Sequence, residues 1–122
     1  MIGLLKSLFG RAGTSVGPQE AMDRTHLGAV LIDVRETSEY ACGHVPIALH
    51  LPLSRLRSEG IAALDTLRLP ADVSEVLLIC QRGMRSKIAQ GLLSRDARRR
   101  YVNVSGGMSA WIAAGLPVTR KP

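Results

Sequence analysis

The chain is poor in aromatic residues: Phe9, Tyr40, Tyr101 and Trp111 are the only ones among 122. A surface that stacks successive bases of single-stranded nucleic acid needs such platforms, so that class of binder is disfavoured. Cysteine is nearly as scarce. Cys42 and Cys80 are too few for a disulfide framework, and no histidine stands at zinc-site spacing from them, so reduced cytoplasmic thiols are expected. Long apolar runs are missing too. The first ten residues, MIGLLKSLFG, fall short of the about 20 that span a bilayer. With no leading positive charge and no cleavage site, a secretory signal is not expected.

Acidic residues are almost absent from the last third. Residues 80–122 hold nine Lys/Arg and one Asp/Glu, whereas residues 1–79 hold seven against nine. A basic stretch can serve nucleic acid, a membrane surface or a small anion, or be a solvated helix face. For Arg95, Arg98, Arg99 and Arg100 the solvated helix face is preferred, and no nucleic-acid partner is expected. What the chain does have is an ordinary globular balance, 46% hydrophobic and 21% charged, enough for one core. Ile2, Leu5, Leu8 and Phe9 share a helical face, and Gly10, Gly13 and Thr14 break it. Residues 1–13 therefore read as a short amphipathic appendage and residues 14–122 as the domain. The appendage can dock on the domain, on a partner or on lipid, although membrane contact through residues 2–9 is not favoured.

Past the appendage, strand-like runs alternate with helical patterns. Gly17-Pro18 opens a helix with Glu20 and Asp23 in its early turns. Residues 29–32 (Ala-Val-Leu-Ile) read as a strand buried on both faces, residues 36–41 as a short helix and residues 48–51 as a second strand. Leu56, Ile61, Leu64 and Leu67 around Gly60 suggest two short helices. Residues 76–79 (Val-Leu-Leu-Ile) form the strongest strand pattern, followed by a helix through Ser86, Ile88, Ala89, Leu92 and Leu93. Residues 101–104 are another strand, and residues 108–114 a closing helix ended by Gly115 and Pro117. This alternation argues for a parallel α/β sheet covered on both faces, with ligands at the carboxyl ends of its strands.

Cys80 stands at that end of the strongest strand. A strand that enters a tight loop and then a helix turns several backbone N–H groups into one concavity, and the helix dipole adds positive potential. Such a cradle suits a tetrahedral anion. In Cys80-Gln81-Arg82-Gly83-Met84-Arg85-Ser86, Gly83 supplies the backbone freedom and Arg85 a forked cation for oxyanions. A thiol in that field has its thiolate favoured. Free cysteine also packs as a small hydrophobe, but the polar residues beside Cys80 are not core material, so a nucleophile is expected.

This loop resembles the active-site loop of single-domain rhodanese-type sulfurtransferases, whose cysteine opens a six-residue loop running here to Arg85. Three further stretches resemble the same family. They are residues 31–35 (Leu-Ile-Asp-Val-Arg), Glu39-Tyr40 with residues 43–46 (Gly-His-Val-Pro), and residues 106–111 (Gly-Gly-Met-Ser-Ala-Trp) with residues 115–118 (Gly-Leu-Pro-Val). The resemblance spans about residues 14 to 118. It implies a rhodanese-like α/β fold with a five-stranded parallel sheet and helices on both faces. It also implies a Cys80 persulfide formed from a small anionic donor such as thiosulfate and passed to cyanide or a thiol, including a protein sulfur acceptor. Gln81, Arg82, Gly83, Met84, Arg85 and Ser86 would bind the donor anion, with no metal and no organic cofactor. A mouth of Arg82, Met84 and Arg85 favours such a donor over 3-mercaptopyruvate.

Two other readings stay open at this point. Cell-cycle dual-specificity phosphatases resemble the same fold but separate Cys and Arg by five residues, where this chain has four. A non-catalytic interaction module is the third, against which stands the presence of Cys80. Asp33 and Arg35 are expected to support loop geometry, with Arg35 paired to Glu36, Glu39 or a carbonyl. His44 reads as a turn residue, Met108 and Trp111 as core, and His26 and His50 carry no pattern. Cys42 can be drawn as a resolving thiol for Cys80. Ile47 stands where the family usually has glycine, so the turn after Pro46 is expected to differ.

Overall fold

A computed structural model describes residues 13–122. The expected appendage, apart from Gly13, lies outside the described residues. Five strands form one parallel sheet: β1 (Ser15–Val16), β2 (Val30–Asp33), β3 (Leu49–His50), β4 (Glu75–Ile79) and β5 (Arg100–Val104). Their order is β1-β5-β4-β2-β3. Among the described residues six helices connect and cover them: α1 (Pro18–His26), α2 (Thr37–Ala41), α3 (Leu53–Glu59), α4 (Ile61–Asp65), α5 (Met84–Leu93) and α6 (Gly107–Ala113). Gly60, at φ 62°, breaks α3 from α4 as the sequence suggested.

β4 is buried along its whole length because it is central. Side chains alternate across a strand, so Val76, Leu78 and Cys80 enter one core with Leu56, Leu64, Ala89 and Leu93. Leu77 and Ile79 enter the other, with Ala21, Met108 and Trp111. Two cores on two faces explain why the strand reads as an unbroken apolar run. Trp111 is fully buried, and its Nε1 donates to Pro117 O at 2.9 Å.

β2 pairs with β3 on one side and β4 on the other, with Asp33 opposite both His50 and Ile79. The chain leaves β2 toward one edge of the sheet and leaves β4 toward the other. Their carboxyl ends therefore flank the point where the winding reverses, the place where such sheets hold ligands. Asp33 and Cys80 stand there.

The basic run differs from the expectation. α5 stops at Leu93, and residues 94–99 form turns, not a helix. Asp96 makes that turn by accepting the Arg98 N–H at 3.1 Å. Arg98, Arg99 and Arg100 are matched rather than freely solvated, while Arg95 is exposed. Arg98 bonds Asp96 and Asp65, Arg99 reaches Val73 O with a side chain only 7% exposed, and Arg100 meets Glu75 at 2.6 Å.

Candidate active site

Cys80 follows β4 directly, and its side chain is 1% exposed. The loop bends at Gly83, whose φ of 102° is a region that side chains rarely enter, and α5 begins at the next residue. The bend brings the Gly83 N–H to 3.0 Å from Cys80 Sγ, and Ser86 Oγ lies at 3.3 Å. Burial pushes the Cys80 thiol up, but bonds from the Ser86 hydroxyl and from the N–H groups of Ser86, Gly83 and Arg82 outweigh it, so the thiol sits below its ordinary value. A small buried sulfur ringed by donors that favour its thiolate is what the loop provides.

The start of α6 holds the loop from behind. Met108 N–H donates to Cys80 O at 2.8 Å and Ser109 N–H to Gln81 O at 3.1 Å, so two donors of that helix terminus are satisfied by the loop itself. Contact is so close that a Cβ on Gly107 would lie 2.2 Å from Cys80 O. Below the sulfur, Ser86 Oγ bonds Asn103 Oδ1 on β5 at short range, and Asn103 Nδ2 donates to Ser15 Oγ at 3.1 Å.

The structure brings the expected loop residues together, yet they do different things. Gln81 is a bridge: Oε1 accepts from Arg35 at 3.4 Å and Nε2 donates to Ser109 Oγ at 3.3 Å. Met84 is 71% exposed at the mouth. Arg82 is exposed, and among the described residues its side chain has no hydrogen bond or ion pair. Arg85 does not aim its fork into the cradle. It holds Glu39 with two bonds, 2.6 and 2.8 Å.

Asp33 and Arg35 form a buried pair at 2.9 Å, and Arg35 also donates to Gly43 O at 2.6 Å. Its partners are thus Asp33, a carbonyl and the Gln81 amide oxygen, not Glu36 or Glu39, because the guanidinium turns inward toward β2. His44 fills its turn, paired by two 2.8 Å backbone bonds with Thr119 and stacked on Tyr40. His50, without a pattern in the sequence, stacks on the other face of Tyr40 and meets Arg35 O at 2.7 Å. Glu39 and Asn103 are the site residues that sequence reasoning missed. For Glu39 a signal existed, an acid three residues after Glu36 that closes a capping box. Cys42 is exposed and Cys80 buried, and both are free. Among the described residues no three His, Cys, Asp or Glu side chains gather as metal ligands.

Comparison with known proteins then decides the family, since the model for the rhodanese-like domain matches residues 17–114. The chain belongs to the rhodanese-like domain family. It is 28% identical over 104 residues to thiosulfate sulfurtransferase GlpE of Haemophilus influenzae, covering 84% of this chain and 91% of that one. It is 33% identical over 89 residues to a sulfurtransferase of Allochromatium vinosum, covering 73% and 77%. The crystal structure of a rhodanese-related protein from Thermoplasma volcanium matches with a TM-score of 0.72 at 28% identity, covering 88% of this chain and 99% of that one. At the level of the family, these likenesses support a sulfurtransferase. Within the rhodanese-like frame the turn at Ile47 costs no strain. Arg68 is the one non-glycine residue with positive φ among the described residues, so Ile47 keeps an ordinary backbone. No helix among the described residues is long and apolar enough to cross a membrane.

Proposed function

We propose that the chain is a sulfurtransferase that takes a sulfane sulfur from thiosulfate or a similar small anionic donor onto Cys80. The observation that carries this is the buried Cys80 sulfur, hydrogen-bonded by the loop backbone at Gly83 and by Ser86, at the carboxyl end of β4. In the first half-reaction the thiolate attacks the outer sulfur of thiosulfate. A Cys80 S–S bond forms, the donor's S–S bond breaks, and the bonding pair leaves with sulfite. The persulfide then carries the negative charge in the same ring of N–H donors. In the second half-reaction cyanide, a small thiol or a protein thiol attacks the terminal sulfur and returns Cys80 as thiolate.

Each residue has a part in this reading. The N–H groups of residues 82–86 stabilise the sulfur anion, and Ser86 adds a hydroxyl. Arg82 offers a free charge to the donor, while Asp33, Arg35 and Gln81 hold the loop. No separate proton acceptor is called for, because the loop donors already favour the thiolate. No metal or organic cofactor enters these steps, and the thiol chemistry suits a reducing compartment such as the cytoplasm. A phosphatase is disfavoured by the four-residue spacing and by Arg85, whose fork is taken up by Glu39 rather than left for a phosphate.

Turnover tests the reading. Thiosulfate with cyanide should give thiocyanate, and Cys80→Ser should lower the rate by at least about 1000-fold, as expected on removing a covalent nucleophile. Efficient hydrolysis of an aryl phosphate by the unaltered protein would overturn it.

A further inference from the structure

Arg85 and Glu39 meet at the mouth of the site, with side chains 33% and 34% exposed. Two parallel N–H to carboxylate bonds use the face of a guanidinium that would otherwise grip two oxygens of a bound oxyanion. The pair is close enough to the sulfur for the Cys80 charge to be felt at Arg85, which it helps keep protonated after the larger effect of the Glu39 bonds. Glu39 is itself held in place. Its Oε1 accepts the Glu36 N–H at 3.1 Å, and Glu36 in turn holds the Ser54 hydroxyl at 2.8 Å. The Arg85 bonds keep the Glu39 carboxyl ionised down to about 2, so the pairing persists across any working pH. Arg82 is left as the loop's unmatched cation.

We infer that Glu39 is a specificity-determining residue: by occupying the Arg85 fork and adding a negative charge at the mouth, it disfavours doubly charged donors relative to singly charged ones. This rests on the sulfurtransferase reading above. The donors preferred are alkyl thiosulfonates and persulfides, which carry one charge where thiosulfate carries two. With an alkyl thiosulfonate the Cys80 thiolate again takes the outer sulfur, and a sulfinate departs with the bonding pair, so charge and atoms balance as they do with sulfite.

The test compares thiosulfate with methanethiosulfonate as donors, cyanide being the acceptor, for the unaltered protein and for Glu39→Gln, Arg85→Gln and the double variant. Glutamine keeps an oxygen for the Glu36 N–H, so the start of α2 is preserved. The readout is the ratio of kcat/KM for thiosulfate to that for methanethiosulfonate, at low and high salt. In Glu39→Gln the ratio should rise about tenfold at low salt through a lower KM for thiosulfate, and shrink toward the original value at high salt. In Arg85→Gln, which leaves Glu39 unopposed, it should fall by about the same factor, and the double variant should return to within about twofold of the start. An unchanged or lower ratio in Glu39→Gln, or a rise that persists in the double variant, would overturn the inference. If Glu39→Gln does not fold, the direction of change in Arg85→Gln decides. Intact mass separates the two levels. No sulfur on Cys80 from either donor would sink the sulfurtransferase reading and this inference with it, whereas loading with an unmoved ratio would sink this inference alone.

Discussion

Ser86 has one hydroxyl proton and two neighbours that compete for it. Its Oγ lies 3.3 Å from Cys80 Sγ and bonds Asn103 Oδ1. Toward a neutral thiol the hydroxyl accepts, and its proton stays on Asn103. Toward a thiolate the proton turns to the sulfur, where a bond to a charged acceptor is worth about 1.5–3 kcal/mol. Ser86→Ala should therefore raise the Cys80 thiol by about one pH unit, read from the pH dependence of its alkylation by iodoacetamide. An unmoved profile would mean that the backbone donors alone hold the thiolate. Cys80 and its loop are legible from sequence because an apolar strand run ends abruptly in polar residues around Gly83. The Ser86–Asn103 and Arg85–Glu39 contacts are not. Their partners lie 17 and 46 residues apart, and nothing local to either reports which strand or helix will face it.

At the level of elements, the loop depends on how closely α6 approaches it. Gly106 and Gly107 open the Gly-Gly-Met-Ser-Ala-Trp stretch noted in the sequence. The structure gives a reason for glycine there, since Gly107 has φ +55° and its missing Cβ leaves room for Cys80 O and the Gln81 backbone. Gly107→Ala should cost about 2–4 kcal/mol, from backbone strain plus displacement of the loop, and should impair sulfur transfer along with it. Urea unfolding and turnover together check this, and a variant as stable and active as the original would contradict the close packing described. Long elements are the legible ones. β4 is apolar throughout because it is buried on both faces, and α5 shows helical spacing through Ala89 and Leu93. β1 and β3 have two residues each; residues 48–51 still read as a strand and contain β3, whereas Ser15-Val16 displays no period. β1 emerges only through pairing with β5, where Ser15 meets Asn103 and Val16 meets Val104.

Across the whole molecule, part of the charge that looks one-sided in sequence is paired in space. Arg24 and Arg100 share Glu75, and Arg98 spans Asp96 and Asp65, so part of the basic last third is matched by acids from other parts of the chain. Charge counts along a sequence cannot show this, since Asp65 comes from α4 and Glu75 from β4. The pairing has an acid limit. Arg98 bonds, opposed by burial and joined by the Tyr101 hydroxyl, hold Asp96 at about 2, and Glu39 is also at about 2. Both carboxyls are lowered in the folded state, so their contribution is complete above the unfolded values of 3.8 and 4.5 and is lost as pH falls toward 2. Urea midpoints measured from neutral to acid pH should drop through that window, and Asp96→Asn should flatten the drop while lowering stability at neutral pH. A variant whose acid limb is unchanged would contradict the assignment.

The central claim is that Cys80 carries the sulfur. The most direct measurement is intact mass of the reduced protein after brief thiosulfate treatment, beside Cys80→Ser, followed by cyanide. The account predicts a gain of one sulfur atom that cyanide removes and that Cys80→Ser never acquires. A protein that keeps its mass, or a Cys80→Ser variant that gains the sulfur on Cys42, would contradict it.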